Sequence, residues 1–370
     1  MRILFLTNSL ERDNGGGVFS RQVIEGITKR LGAHATIFTI IPSDDPTTLP
    51  IKLGYFGILR TLWRIRTEAK HADVLHVFDI FPHGILASLA TVGLRKKMIL
   101  TAIGSASIIP LSERRYASLA RWSLRRAALV TAISNFTQSE ILKKIPSLQM
   151  QVINPGIHLA EYTKALAEPL KAEVQKVQPY ILSVGTVRWR KGYRRSVATF
   201  AEIAAQFPKL SYVIIGRHPW PSFVEELKGI AEKKGVGNRL IFLDSIDTRE
   251  ELLAWYRGAE LFCLFSENAD NDIEGFGIVF VEAAAMGLPV VGRKNCGVDD
   301  AVADGGNGTL VTSPEEFKEA LRSTLSDLEK AGHMREESLK LAKRYSVDDK
   351  TDEYVALYRS LGVLNGSTLR

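Results

Sequence analysis

The sequence predicts an α/β fold built from two doubly wound domains, each a parallel sheet with helices on both faces. Apolar runs of strand length alternate with segments of helical periodicity along the whole chain, as in buried parallel sheets. At 370 residues the chain is too long for one ordinary core and suits two domains of about 150 to 200 residues. Its composition, 45% apolar and 24% charged, is ordinary for a soluble globular protein.

A polar, charged segment at 158–179 separates two sets of strands, and we interpret it as a linker. We place the first domain at residues 1–165, the second at 166–350, and an amphipathic helix with a loose tail at 351–370. Cys263 and Cys296 form neither a disulfide framework nor a metal cluster. The N-terminal apolar run is too short for a signal peptide and no run reaches 18 apolar residues. The expected location is therefore the cytoplasm.

The most informative stretch is 265–292, which follows an apolar run at 259–265 predicted to be a buried strand. A polar acidic loop leads into the turn EGFG (274–277), and a helix is predicted from near Phe276 to Met286, where GLP (287–289) ends it. The start of such a helix directs unpaired N–H groups and the positive end of its dipole toward a ligand over the turn. That ligand is predicted to be an anion such as phosphate.

Two carboxylates frame this helix, with Glu274 in the turn and Glu282 eight residues later, about two helical turns further in. Such a pair can hold two ends of an extended polar ligand. In the alternative reading, Glu274 only caps the helix and Glu282 pairs with a buried arginine.

Two further loops have the composition of phosphate sites. Residues 186–192, TVRWRKG, follow a predicted strand at 180–185, and adjacent Arg and Lys side chains suit a diphosphate, although a solvated basic loop is the alternative. Near the N-terminus GGG (15–17) lies between a predicted strand and a helix from Val18, a geometry that suits phosphate or a sugar. It does not fit the GxGxxG dinucleotide fingerprint.

The motif in the second half of the chain resembles a motif of a known family. EGFG (274–277), the seven residues between Glu274 and Glu282, and GLPVV (287–291) resemble the donor-sugar motif of retaining GT-B glycosyltransferases, especially glycosyltransferase family 4 (group 1). VINPGI (152–157) is similar to the family's VIPNGVD, so the resemblance covers nearly the whole chain. It implies two Rossmann-like domains that face each other across a cleft, with the C-terminal helix crossing back to the first domain.

The resemblance also implies the chemistry, which is retaining transfer of a sugar from a UDP- or GDP-sugar to a hydroxyl of a lipid-linked acceptor or growing polysaccharide. Arg190 and Lys191 then bind the diphosphate, with Arg188 as a substitute, while Glu274 binds the donor sugar and Glu282 the ribose. The catalytic set is Glu274, Arg190 and Lys191. The donor-binding set adds Gly16, Gly17, Gly185, Asp244, Gly275, Phe276, Gly277, Ile278 and Glu282.

No covalent nucleophile stands out in the sequence, so front-side attack is expected, with the nucleotide-sugar as co-substrate and neither a cofactor nor a metal. Asp270-Asn271-Asp272 imitates the DxD signature of metal-dependent transferases of another fold, which leaves a metal site as an alternative. A sugar-nucleotide epimerase or a phosphorylase of the same architecture is the alternative function.

The first half departs from the family at Ile103, where many members carry a histidine that contacts the acceptor or the transferred sugar. His76, Asp79 and Ser105 are the acceptor-side candidates, and His83 lies nearby. A structural role is the alternative for the two histidines and for Asp79.

Positive charge is concentrated in the first half, with 21 Lys and Arg against 11 Asp and Glu up to Ala165. The predicted helix 55–68 carries Arg60, Trp63 and Arg64, and a second basic group lies at 114–126. Both resemble interfacial helices that dock on an anionic membrane surface, which suggests a peripheral location on its inner face. Solvated helical faces are the alternative. No nucleic-acid partner is expected, because the chain lacks an aromatic-interleaved basic strand or a zinc ligand set.

Overall fold

The computed structural model describes residues 1–11, 15–42, 48–244, 246, 248–268 and 272–363, with only the backbone of Tyr55. It contains two compact units, one formed by Met1–Gly156 with the segment from Val347 onward and the other by Ile157–Ser346. Each unit is an α/β structure around one sheet whose strand pairs are parallel. The predicted fold class is confirmed.

In the first unit strands and helices alternate along the chain. They are β1 (Arg2–Thr7), α1 (Gly15–Leu31), β2 (His34–Thr39), β3 (Thr48–Pro50), α2 (Tyr55–His71), β4 (Val74–Phe78), α3 (Ile85–Ala90), β5 (Lys97–Ala102), α4 (Ser105–Ile108), α5 (Ala117–Arg126), β6 (Leu129–Ala132), α6 (Asn135–Lys144) and β7 (Gln151–Val152). The strand order is β3-β2-β1-β4-β5-β6-β7. Strands β1 and β4 are apolar runs that are buried almost throughout, because helices cover both faces of a parallel sheet.

The second unit repeats this plan around six strands. Its elements are α7 (Leu159–Ala167), α8 (Ala172–Gln175), β8 (Tyr180–Val184), α9 (Tyr193–Ile203), β9 (Ser211–Ile215), α10 (Pro221–Lys233), β10 (Leu240–Leu243), α11 (Arg249–Gly258), β11 (Leu261–Leu264), α12 (Ile278–Ala285), β12 (Val290–Arg293), β13 (Gly308–Val311), α13 (Pro314–Ser326) and α14 (Leu328–Ala342). The strand order is β10-β9-β8-β11-β12-β13. The chain thus reverses direction across the sheet between β8 and β11, and the carboxyl ends of such a pair form a natural ligand crevice.

The C-terminal helix α15 (Val347–Ser360) belongs to the first unit and packs against α1. The approach is close, since a Cβ atom at Gly26 would lie 2.5 Å from Thr351 Oγ1. The helix therefore returns to the first half of the chain, as predicted. Among the described residues, no helix has the length and apolar character needed to cross a membrane.

Three details differ from the sequence predictions. The units divide after Gly156 and before Val347, rather than at 165 and 350. The predicted linker contains α7 and α8, which pack on α11 and so belong to the second unit. The glycines 15–17, predicted as a loop, form the first turn of α1, which places Gly16 and Gly17 at its N-terminal end.

Candidate active site

The candidate site is built by two loops at the carboxyl ends of β8 and β11. Gly192 adopts a left-handed conformation with φ 69°, and a Cβ atom there would lie 1.7 Å from the carbonyl oxygen of Phe265. Only glycine allows the basic loop after β8 to lie this close to the loop after β11. The backbone N–H of Glu267 then donates to the carbonyl of Arg190 over 2.7 Å. This contact brings the two loops together.

Glu274 lies at the centre of this arrangement. Its Oε2 accepts hydrogen bonds from Arg190 Nη1 at 2.5 Å, Lys191 Nζ at 2.7 Å and Ser266 Oγ at 3.0 Å. Burial alone would raise the pKa of Glu274, but the charges of Lys191 and Arg190 outweigh it and lower that pKa to about 2. The carboxylate is therefore ionised at neutral pH and holds both cations in fixed positions.

Asp272 extends the network to Arg188. Its carboxylate contacts Arg188 Nη2 at 3.1 Å and Arg190 Nε at 2.9 Å. Three cations thus face two carboxylates, which leaves one positive charge in excess. The other two residues of the DxD-like tripeptide, Asp270 and Asn271, lie outside the described residues.

The glycine-rich turn lies next to this charged cluster. Helix α12 begins at Ile278 rather than near the predicted Phe276, because Gly277 takes a left-handed conformation with φ 80° and ends the turn. A Cβ atom at Gly297 would lie 2.2 Å from the carbonyl of Gly275. Only glycine at position 297 therefore allows the backbone to pack this closely against the turn. The predicted residues Gly275, Phe276, Gly277 and Ile278 therefore present the first N–H groups of α12 beside Glu274. Gly185, where β8 ends, joins the same site, since its Cβ would contact Lys191.

Glu282 is held by residues far away in the sequence. Its Oε1 accepts hydrogen bonds from Arg249 Nη2 at 2.7 Å and Tyr162 Oη at 3.2 Å, and its Oε2 accepts one from Tyr256 Oη at 3.0 Å. The predicted alternative of pairing with an arginine is thus present in the structure. A carboxylate offers about four lone-pair directions, so this pairing leaves acceptor capacity on Glu282.

Asp244 follows the edge strand β10 directly. Its Oδ1 accepts a hydrogen bond from the backbone N–H of His218 at 2.7 Å. The carboxylate therefore shapes the loop that follows β9, and its predicted role in framing the base stays a prediction.

In the first unit, the acceptor-side candidates have different surroundings. His76 is fully buried, with Nδ1 at 2.9 Å from Tyr358 Oη on α15 and Nε2 at 2.8 Å from Thr101 Oγ1. Burial lowers the pKa of His76 to about 3, so the ring is neutral and joins α15 to the sheet. His83 is also buried. The hydrogen bonds of His76 favour the structural alternative for that residue.

Asp79 lies at the carboxyl end of β4 and has a left-handed backbone with φ 65°. Its Oδ1 accepts hydrogen bonds from Ser107 Oγ at 2.7 Å and from the backbone N–H of Ile103 at 3.0 Å. Burial raises the pKa of Asp79. The structure therefore places this carboxylate directly against Ile103, the position at which the resemblance implies a histidine. Ser105, two residues further on, begins α4.

The structural role of His76 leads to a prediction. His76→Gln is expected to lower the free energy of unfolding by about 1 to 3 kcal/mol, the cost of disturbing a buried hydrogen-bonded pair, with kcat changed less than twofold. Chemical denaturation and turnover measure the two effects, and Tyr358→Phe is the matched variant on the other side of the bond. A His76→Gln enzyme that is fully stable but inactive would instead assign the ring to the acceptor.

Several residues of the site were not identified from sequence. Ser266, Arg249, Tyr162 and Tyr256 reach the two glutamates, and no local motif connects them. From the sequence, Asp272 is predicted only as part of a tripeptide that imitates a metal-binding DxD signature. Its contacts are with Arg188 and Arg190.

Comparisons with known proteins identify the class to which this fold and site belong. The description "Glycosyl transferases group 1" matches residues 168–341, and "Glycosyltransferase Family 4" matches residues 19–161. HepE from Anabaena, solved in complex with UDP, superimposes with a TM-score of 0.81 at 19% identity, covering 97% of this chain and 100% of that one. The fold is therefore that of the GT-B glycosyltransferases. Together the two matches span most of the chain and identify it as a group 1, family 4-like glycosyltransferase.

Two curated relatives match over only part of this chain and part of their own length. A GDP-mannose-dependent α-(1-6)-phosphatidylinositol monomannoside mannosyltransferase of Mycolicibacterium smegmatis is 29% identical over 58% of this chain and 59% of its own length. A D-inositol 3-phosphate glycosyltransferase of Corynebacterium urealyticum is 31% identical over 58% of this chain and 51% of its own. The matches thus span between half and three fifths of these relatives.

Proposed function

We propose that this protein transfers a sugar, with retention of anomeric configuration, from a UDP- or GDP-sugar to a hydroxyl acceptor. The observation that carries the proposal is the cluster of Arg188, Arg190 and Lys191 beside the first N–H groups of α12. Fixed cations and a helix N-terminus together suit a diphosphate. Family membership supports the same conclusion.

In the proposed mechanism the cations act on the leaving group. Negative charge grows on the departing diphosphate, and Lys191 and Arg190 are already oriented by Glu274, so little reorganisation is needed. While Glu274 Oε2 keeps the two cations in place, the other carboxylate oxygen of Glu274 accepts hydrogen bonds from hydroxyls of the donor sugar. The acceptor attacks from the same face, and the leaving diphosphate takes its proton. The proposed reaction uses neither a metal nor a cofactor.

The acceptor is proposed to be lipid-linked or a growing polysaccharide, used at the cytoplasmic side of a membrane. The concentration of positive charge in the first half of the chain supports an anionic surface or acceptor. The names of the curated relatives include both a phosphatidylinositol-based and an inositol phosphate acceptor.

Stereochemistry tests the proposed reaction directly. The enzyme is incubated with UDP- and GDP-sugars and candidate acceptors, and the anomeric signal of the product is followed by proton NMR. Retention requires the first-formed product to have the anomeric configuration of the donor. An inverted product would contradict the mechanism, while epimerised donor or phosphate-dependent cleavage without an acceptor would favour an epimerase or a phosphorylase.

Arg249 provides a prediction about the proposed ribose contact. Arg249→Met removes the cation that orients Glu282, so nucleoside diphosphate affinity is expected to fall about 10-fold, the scale of one hydrogen bond to a charged group. Calorimetry with UDP or GDP measures the loss. The matching 2′,3′-dideoxy nucleotide, which lacks the ribose hydroxyls, should bind wild type and variant equally. Equal weakening of both ligands would show that Arg249 acts elsewhere.

A further inference from the structure

Helix α2 is apolar on two sides. One side belongs to the core of the first unit, where Ile65 and Ala69 are fully buried. On another side Phe56, Leu59 and Trp63 are 82%, 56% and 67% exposed, and their spacing of three and four residues places them along one stripe. Because the core contacts of α2 are made by its other side, this exposed stripe is not required for folding.

The stripe continues onto neighbouring elements. Arg66 Nη1 donates to the carbonyls of Ala90 at 2.9 Å and Val92 at 2.8 Å, and Arg126 Nη2 donates to the carbonyl of Thr91 at 2.6 Å. These bonds fix the turn after α3 between α2 and α5. Exposed apolar side chains lie on α2 and just before it, at the end of α3 and in the turn after it, and on α5. We call this set the apolar face: Leu53, Phe56, Leu59, Trp63, Leu89, Val92 and Leu119. It holds seven of the eleven large apolar side chains that are exposed in the described part of the chain.

Positive charge surrounds the apolar face. Residues 52–126 contain 13 Lys and Arg against 4 Asp and Glu. None of the ion pairs found among the described residues involves a cation of this segment, whereas cations elsewhere in the chain are paired repeatedly. Arg60 follows Leu59 directly, and Arg64 follows Trp63. The face is thus a clustered apolar surface with an uncompensated positive border, the composition of an interfacial membrane element.

We propose that the apolar face docks on an anionic phospholipid bilayer. Phe56, Leu59 and Trp63 enter the headgroup boundary, where aromatic rings are favoured, while Arg60 and Arg64 contact lipid phosphates. A second copy of this chain is a poor occupant, because it would bring two strongly positive surfaces together. The proposal goes beyond sugar transfer, since it requires neither donor nor acceptor.

Vesicle sedimentation with the full chain, without nucleotide or acceptor, tests the proposal. Binding to vesicles of 70% phosphatidylcholine and 30% phosphatidylglycerol is expected to be at least about 10-fold tighter than to pure phosphatidylcholine, and to weaken as NaCl rises from about 50 to 500 mM. Phe56→Ser with Trp63→Ser should weaken binding about 10-fold or more at every salt concentration. Arg60→Gln with Arg64→Gln should remove much of the preference for phosphatidylglycerol.

A matched control distinguishes a lipid-binding site from nonspecific hydrophobic adsorption to vesicles. Leu328 on α14 is 85% exposed but lies in the second unit, so Leu328→Ser should bind vesicles like wild type. Lys191→Ala should also bind like wild type, which separates this proposal from the proposed transfer reaction. All changed side chains on the face are exposed or half-buried, and thermal unfolding checks that the variants are folded.

Three outcomes would overturn the proposal. In the first, the Phe56→Ser/Trp63→Ser variant binds anionic vesicles as tightly as wild type. In the second, wild type shows no preference for anionic over neutral vesicles. In the third, sedimentation velocity reveals a dimer that the same double variant abolishes, which would assign the apolar face to a second copy of the chain.

Discussion

Lys191→Ala is expected to lower kcat about 10²-fold or more, the scale of losing one preorganised donor to a developing negative charge. Lys191 is fixed by Glu274 at 2.7 Å and lies next to the turn that precedes α12. Its charge would act mainly on the leaving diphosphate as the glycosidic bond breaks, so kcat should fall more than KM rises. Steady-state kinetics with a saturating donor measures the effect.

Arg194 provides the control for this prediction. It lies three residues further on, at the start of α9, and is exposed in a surface pair with Glu226. Arg194→Ala removes a cation from the same region and should leave kcat nearly unchanged, because surface pairs contribute little. Similar kinetics for Lys191→Ala and wild type would remove the diphosphate assignment.

Glu274→Gln is expected to affect stability and activity together. The pKa of Glu274 is lowered from 4.5 to about 2 in the folded protein by Lys191 and Arg190, against the opposing effect of burial. A difference of this size corresponds to about 3 kcal/mol. The stabilisation is therefore fully present above pH 4.5 and is lost as pH falls from 4.5 toward 2. Activity should also fall, because Arg190 and Lys191 lose their common anchor and the donor sugar loses an acceptor.

Urea denaturation between pH 7 and pH 3.5 measures this contribution. The gap between wild type and Glu274→Gln should be about 3 kcal/mol at neutral pH and should narrow as pH falls below 4.5. Glu267→Gln is the control, since Glu267 belongs to the same loop but its side chain faces Arg195 at 3.9 Å on the surface, and the substitution keeps its backbone hydrogen bond to Arg190. A gap that is small at pH 7, or that does not change with pH, would contradict the ion-pair network.

The sequence predicts the fold well because burial of parallel strands leaves apolar runs that are easy to recognise, as at 2–7 and 180–184. It predicts less well where one element contributes little to a core. Only Tyr162 is buried in α7, and the surrounding segment is rich in polar and charged residues, so the sequence predicts a linker there. Helix α1 begins at Gly15 rather than at the predicted Val18, because glycines 15–17 form its first turn. The sequence does not predict this, since glycine has a weak helical preference.

Some of the predicted site residues are brought together by contacts between residues far apart in the sequence, which no local sequence motif predicts. Arg190 and Lys191 were expected beside a diphosphate and Glu274 beside a sugar, but their direct pairing spans more than 80 residues of sequence. A buried arginine was an open alternative for Glu282, and the structure identifies it as Arg249. His76 is a candidate site residue from the sequence, but the structure gives it hydrogen-bond partners inside the core. A polar residue in a buried strand can have such a structural role.

Calorimetric titration with UDP and GDP, in the presence of either Mg²⁺ or a chelator, tests the central claim most directly. We expect one nucleotide to bind equally well under both conditions, and Lys191→Ala but not Arg194→Ala to weaken its binding. That result would place the donor diphosphate on the Arg190 and Lys191 cluster and would identify the nucleotide class. No binding of either nucleotide, or binding that requires Mg²⁺ and is as tight in Lys191→Ala as in wild type, would contradict the proposed donor site.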